Sequence, residues 1–314
     1  MRPRHAEAVP GFVVAVDRGR YTCLVDGHKV TAMRARELGR KSVVVGDHVS
    51  LVGDITGRPD TLARIVRIDT RRSVLRRTAD DDDPTERVIV ANADQLVIVS
   101  SLHDPPPRTG FIDRCLVAAY DADIEPLLCL TKSDLLESPD QVESAPVLGY
   151  YADLELRHVT VSTDQPLDAL QARLTDRLSV LVGQSGVGKS TLVNRLAPGA
   201  DRAVGVVSAI GKGRHTSTSA VALKLPDGGW IVDTPGVRSF GLAHVSPRSL
   251  LHGFSDLSPG AAECPPGCEH TDEAIDCALD AWAADGNADP RRLASYRRLL
   301  DSRGDSGPSD TTRG

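Results

Sequence analysis

Gly183-Gln184-Ser185-Gly186-Val187-Gly188-Lys189-Ser190 decides the fold of this chain, with Leu178-Ser179-Val180-Leu181-Val182 before it and Thr191-Leu192-Val193-Asn194-Arg195-Leu196 after it. The apolar run predicts a buried strand, the glycines a tight turn and the residues beyond a helix. Glycines at 183, 186 and 188 let the backbone curl without Cβ clashes, so successive amides and a helix N-terminus converge on one anionic pocket. Lys189 then reaches the β- and γ-phosphates of a nucleotide, and the Ser190 hydroxyl is a ligand for Mg²⁺. Every residue from Gly183 to Thr191 is a candidate for nucleotide binding, and Lys189 for catalysis as well.

Upstream, Gln95-Leu96-Val97-Ile98-Val99-Ser100 reads as a buried strand, Gly110 to Tyr120 has helical spacing, and Glu125-Pro126-Leu127-Leu128-Cys129-Leu130 is a second strand. Strands separated by helices of this length predict a parallel α/β sheet. The second strand runs into Thr131-Lys132-Ser133-Asp134, close to the N-K-x-D element with which GTPases read guanine. Asp134 would accept from the guanine N1–H and exocyclic amine, a donor pair that adenine lacks, and the Lys132 stem would lie along the ring. Thr131 replaces an Asn whose amide ties neighbouring loops together. Ser133 or Asp134 would also serve as a helix N-cap. Leu156 to Thr163 predicts a further strand, ending where GTPases carry a short S-A-x loop; Ser162 matches it and Thr163 departs from the Ala.

Downstream, Gly211-Lys212-Gly213-Arg214-His215-Thr216-Ser217-Thr218 is a glycine-flanked polar loop. GTPases place one Thr in such a switch, on Mg²⁺ and the γ-phosphate; Thr216 is the candidate, with Ser217 and Thr218 as the alternatives. Trp230-Ile231-Val232-Asp233-Thr234-Pro235-Gly236 predicts a strand ending in D-T-P-G, with Asp233 holding Mg²⁺ through a water and the Gly236 amide sensing the γ-phosphate. Val237 follows where Ras-like enzymes carry a water-orienting Gln, so another group must place the water; His215 is the candidate. The order is unusual: the base-reading elements precede the phosphate loop. Cutting the ring of connections at a surface loop and joining the old ends leaves the contacts of a sheet nearly unchanged. A circularly permuted GTPase domain over 88–243 is expected.

The first 77 residues hold 16 Lys/Arg against 8 Asp/Glu, and the remainder 21 against 35. A basic beginning fits a phosphate backbone and an acidic body does not. From Gly11 to Ile68 short apolar or alternating runs separated by Asp26-Gly27 and Gly46-Asp47 turn signals predict a small barrel of the oligonucleotide-binding type over 1–70. With only Phe12 and Tyr21 to stack bases, backbone electrostatics is its expected mode of grip. Residues 71–87, with Arg71-Arg72, Arg76-Arg77 and four consecutive aspartates, read as a charged linker.

Cys264-x₃-Cys268-x-His270-x₆-Cys277 supplies three thiols and an imidazole, a closed tetrahedral set suited to one structural Zn²⁺ in a mainly helical module over 244–300. Helices are expected around Glu273–Ala284 and Arg291–Leu300, and a disordered tail over 301–314. Cys23, Cys115 and Cys129 are scattered and read as small buried hydrophobes. No apolar run approaches the roughly 20 residues of a membrane helix, and the polar start is not followed by a signal-peptide core. A cytoplasmic protein is expected, and a monomer, since three such domains complete a core unaided.

Taken together, the basic barrel-like start, the permuted motif order, the loop Gly213-Arg214-His215-Thr216 and the terminal Cys/His cluster resemble the RsgA (YjeQ) family over roughly residues 10–300. The resemblance implies a GTP hydrolase stimulated by the small ribosomal subunit, serving late in that subunit's maturation and contacting its rRNA. The family's metal spacing is C-x₄-C-x-H-x₅-C, so the loops between ligands must differ here. The alternative is a nucleotide-dependent RNA-binding switch whose slow hydrolysis is only a timer.

Overall fold

The computed structural model describes residues 7–39, 43–78, 85–138, 140–199, 220–234 and 240–304. The chain opens with β1 (Val9–Asp17), β2 (Arg20–Val25), β3 (His28–Arg34), β4 (His48–Gly53) and β5 (Ala63–Ile68). Their alternation turns Val13, Tyr21, Cys23, Val30, Ala32, Val49, Leu51 and Ile65 into one core. β1 pairs with both β2 and β4, and β5 with both β3 and β4, so the ring closes in the order β1-β2-β3-β5-β4-β1. This is the expected five-stranded barrel. Val43–Val45 adds no strand to it; Val45 makes a single bridge to Val90 instead.

The described parts of the stretch read as a charged linker, 71–78 and 85–87, are built structure. β6 (Val74–Arg77) pairs antiparallel with β7 (Arg87–Ala91), and Leu75 between the arginines is fully buried. Arg71 donates to both oxygens of the buried Asp47 at 2.7 and 2.9 Å, and Arg72 reaches Asp94 at 2.9 Å. The arginines therefore fasten the barrel to the α/β part of the chain. Gly46 sits at that joint with φ +89°, where a Cβ would lie 2.0 Å from the Ala91 carbonyl oxygen.

Next come β8 (Gln95–Ser101), α1 (Thr109–Asp121), β9 (Glu125–Thr131), α2 (Asp140–Glu143), α3 (Pro146–Tyr150), β10 (His158–Thr160), α4 (Asp168–Leu174), β11 (Leu178–Gly183), α5 (Lys189–Leu196), β12 (Val221–Lys224) and β13 (Trp230–Asp233). The sheet order is β10-β9-β8-β11-β13-β12, parallel except for β12. β8 and β11 are buried along their whole length because both faces are covered. Leu96, Ile98, Val180 and Val182 pack with Ile112, Cys115 and Leu116 of α1. Val97, Val99 and Leu181 pack with Leu170, Leu174, Leu192 and Leu196 of α4 and α5. β12 also pairs with β1 at Val221↔Ala15, so sheet and barrel are continuous.

The chain ends in α6 (Pro247–His252), α7 (Ser258–Ala262), α8 (Ala278–Ala284) and α9 (Pro290–Gly304). Phe240, Leu250, Phe254, Leu279 and Tyr296 join the core on the α1 side. Two expectations are corrected here. Residues 273–277 are not helical, since Cys277 must turn back toward the other cysteines, and α9 runs to Gly304, four residues into the expected tail. Among the described residues no helix is long and apolar enough to cross a membrane.

Candidate functional site

β11 delivers Gly183 to the edge of the sheet where the parallel strands end, and a Cβ there would lie 2.7 Å from the Val99 carbonyl oxygen on β8. Gly186 and Gly188 adopt φ +84° and +88°, the left-handed geometry that turns loop amides toward a common point. Val187 is buried and anchors the loop on the α5 side of the core. α5 starts at Lys189, and Ser190 and Thr191 lie exposed in its first turn. The parallel register places Asp233 beside Leu181, where its carboxylate meets the Lys189 ammonium. Thr234 donates from its hydroxyl to the Leu181 carbonyl at 2.8 Å and holds the end of β13 in place.

β9 ends on the same edge. The buried Thr131 hydroxyl donates to the Val187 carbonyl at 2.6 Å, with the Ser100 carbonyl 3.2 Å away. Thr131 thus supplies a tie between base-side and phosphate-side loops with one donor. Lys132 is left-handed (φ 62°) and its ammonium rests on the Asp104 carbonyl, while Ser133–Leu135 form a single 3₁₀ turn without a side-chain cap. The exposed Asp134 carboxylate accepts from the amide and hydroxyl of Thr163 at 3.2 and 3.1 Å. Ser162 turns its own hydroxyl to Asp164 at 2.7 Å, and the residue that meets Asp134 is Thr163, which stands where the S-A-x loop has its Ala. His215, Thr216 and Gly236 lie outside the described residues.

At the other end of the chain Cys264, Cys268, His270 and Cys277 bring their ligand atoms within 4.8 Å of one another. His270 Nδ1 is 3.4, 3.5 and 3.8 Å from the three sulfurs, and Cys264 Sγ is 3.9 Å from Cys277 Sγ. Those are the edges of a tetrahedron with bonds of about 2.0–2.3 Å, so the donor set fits a metal ion. Burial and the Arg297 charge hold the imidazole below its ordinary pKa, in the neutral form that ligates. Burial, with the neighbouring thiols, pushes Cys277 up to about 11. The Ala278 amide donates to Cys264 Sγ at 3.3 Å, and Arg297 donates to the His270 carbonyl at 3.2 Å while gripping Asp280 with both ends of its guanidinium.

Two groupings escaped the sequence reading. Arg292, 1% exposed, donates to Asp113 on α1 at 2.7 Å and to both oxygens of Asp256 at 2.9 and 3.0 Å. Ser295, Tyr150 and Tyr151 complete the Asp113 shell at 2.6, 3.2 and 2.9 Å. Arg195 of α5 meets the loop after β10. Neither has a sequence signal, because the partners are far apart along the chain and have no fixed spacing.

The family model described as RsgA GTPase matches residues 68–243. The chain belongs to the RsgA GTPase family. A curated relative, the small ribosomal subunit biogenesis GTPase RsgA of Ectopseudomonas mendocina (strain ymp), is 44% identical over 218 residues, 68% of this chain and 63% of that protein. This chain thus spans less than two thirds of that relative's length. YjeQ from Thermotoga maritima, known from its crystal structure, superposes with a TM-score of 0.72 at 25% identity, covering 94% of this chain and 98% of that one. YloQ, described as a circularly permuted GTPase, gives a TM-score of 0.69 at 24% identity over 98% of this chain and 100% of its own, a likeness of fold. This chain's fold is thus a permuted GTPase sheet, with β9 and β10 before the phosphate loop and the barrel in front of it.

Proposed function

We propose that this chain hydrolyses GTP and acts as a maturation factor of the small ribosomal subunit, which stimulates it. The observation that carries the reading is the meeting of a guanine-type carboxylate, Asp134, and a phosphate loop on one sheet edge, tied through Thr131 and Val187. In this reading residues 88–243 are the GTPase unit, the basic barrel of 1–70 faces rRNA, and 244–300 form the metal-held module. The protein works in the cytoplasm as a monomer.

Asp134 selects guanine, and the Lys132 stem covers the ring. The amides of 183–191 and the Lys189 ammonium hold the phosphates and stabilise charge that spreads over the γ-oxygens as the bond to the leaving group lengthens. Mg²⁺ arriving with GTP would neutralise charge on the β- and γ-oxygens, held by Ser190, Thr216 and, through water, Asp233. The Gly236 amide senses the γ-phosphate. Ser162 belongs to the loop behind the base. Val237 cannot orient water, so intrinsic turnover is slow and His215 places the nucleophile when the subunit is bound. Zn²⁺ suits the three thiols and the imidazole of the second cluster and supplies rigidity there.

Steady-state GTP hydrolysis with and without purified small subunits tests the reading, with Lys189→Ala as the blank. Strong stimulation by small subunits alone is expected. Intact GTP binding without stimulation would leave a nucleotide switch with a different partner.

A further inference from the structure

Arg195 sits in the last turn of α5, the helix that the phosphate loop opens. An arginine in that position ordinarily serves the carbonyls of its own helix end. This one reaches across to the loop after β10, where its guanidinium donates to the carbonyls of Ser162 and Gln165. Both ends of its fork are thus used on one short loop. β10 stops at Thr160 and α4 starts at Asp168, so no ladder hydrogen bond holds residues 162–165. The gripped residues bracket Thr163, whose amide and hydroxyl meet the two oxygens of Asp134 at 3.2 and 3.1 Å. They also bracket Asp164, which receives the Ser162 hydroxyl at 2.7 Å. An unbroken chain of contacts therefore runs from the phosphate helix through Arg195 and Thr163 to the base-side carboxylate.

We propose that Arg195 is a positioning residue for base specificity: by clamping loop 162–165 it sets Thr163 against Asp134 and fixes the plane in which that carboxylate meets the purine. The inference rests on the reading of Asp134 as the guanine acceptor. A carboxylate held by one donor on each oxygen keeps its remaining lone pairs in a fixed direction, which is what recognition of two parallel N–H groups requires. The clamp also makes the loop move with α5, so the base-side and phosphate-side halves of the site keep one spacing.

The test is competition against a fluorescent GDP by GDP, IDP, XDP and inorganic tripolyphosphate, on the full chain. Arg195→Met should weaken GDP by roughly tenfold, the scale of lost charge-assisted hydrogen bonds, shrink the preference for GDP over IDP, and leave tripolyphosphate unchanged. Arg195→Lys, with one point charge for two carbonyls, should fall between. Thr163→Val, at an exposed loop position, should shrink the same preference and serves if Arg195→Met does not fold. A parallel loss of GDP and tripolyphosphate, or no change in either, in Arg195→Lys and Thr163→Val overturns the proposal. Asp134→Asn separates the two levels: it should shift preference toward XDP, and unchanged guanine preference there would remove the base-reading assignment itself.

Discussion

The Thr131 hydroxyl donates to the carbonyl of Val187 across 2.6 Å, joining the end of β9 to the middle of the phosphate loop. The side chain is buried, so its loss would leave a carbonyl without that donor in a place water reaches poorly. Such a group costs about 1–3 kcal/mol. Thr131→Val keeps the shape and removes the bond, and GDP affinity should fall by roughly tenfold as the loop loosens. Thr131→Ser should restore most of it. Calorimetric titration of the three proteins decides the matter, and an unweakened Val variant would mean that the tie contributes nothing to the site.

Removing the metal should loosen the end of the chain rather than the nucleotide site. The four ligands sit between α7 and α8, and α8 carries Leu279 into the α1-side core. Elemental analysis should find one zinc per chain, lost in Cys264→Ser. Hydrogen exchange after chelation should rise across 258–300 and stay unchanged over β8 and β11, the strands buried along their whole length. Equal loosening of both regions would show that the cluster holds up the whole sheet.

The legible parts of the molecule were those in which chemistry fixes residue type and spacing together. A phosphate loop needs its glycines and lysine at set positions, and a tetrahedral donor set needs its cysteines and histidine close in sequence. Both could be read from the sequence as local patterns. Residues 71–78 do not show their packing in the sequence because their arginines look solvated, whereas Leu75 enters the core and Arg71 is held by Asp47. Arg292 and Asp113 stand 179 residues apart, and no periodicity announces a pair at that distance.

Arg292 should prove the main fastener of the C-terminal helices. It is 1% exposed and serves α1 through Asp113 and the α6–α7 turn through Asp256 and the Gly253 carbonyl. Phe254 lies 4.4 Å from the guanidinium carbon. Removing one member of a buried ionic group strands its partners and costs about 3–5 kcal/mol. Arg292→Met should therefore lower the thermal midpoint by roughly 10 °C or more, and Asp113→Asn should do less because its amide oxygen still accepts. A Met variant as stable as the parent would mean that the apolar side chain replaces the network without loss.

Gly46 makes the joint between barrel and sheet sensitive to a single methyl group. Its φ of +89° is strained for any side chain, and a Cβ would sit 2.0 Å from the Ala91 carbonyl oxygen, which belongs to β7 and cannot swing away. The neighbouring bonds, Gly46 amide to the Val13 carbonyl and Asn92 side chain to the Gly46 carbonyl, both at 2.9 Å, would be displaced with it. Gly46→Ala should lose at least about 2 kcal/mol, from strain and from bonds that no longer close. The loss should be local: the β11 atom nearest the new Cβ is the side-chain end of Leu178, at 3.2 Å, and it lies at the opposite end of β11 from Gly183 and the phosphate loop. GDP affinity is therefore expected to stay at the parental value while limited proteolysis begins to cut between the barrel and β8. A fall in GDP affinity matching the fall in stability would show instead that barrel and nucleotide site open as one cooperative unit.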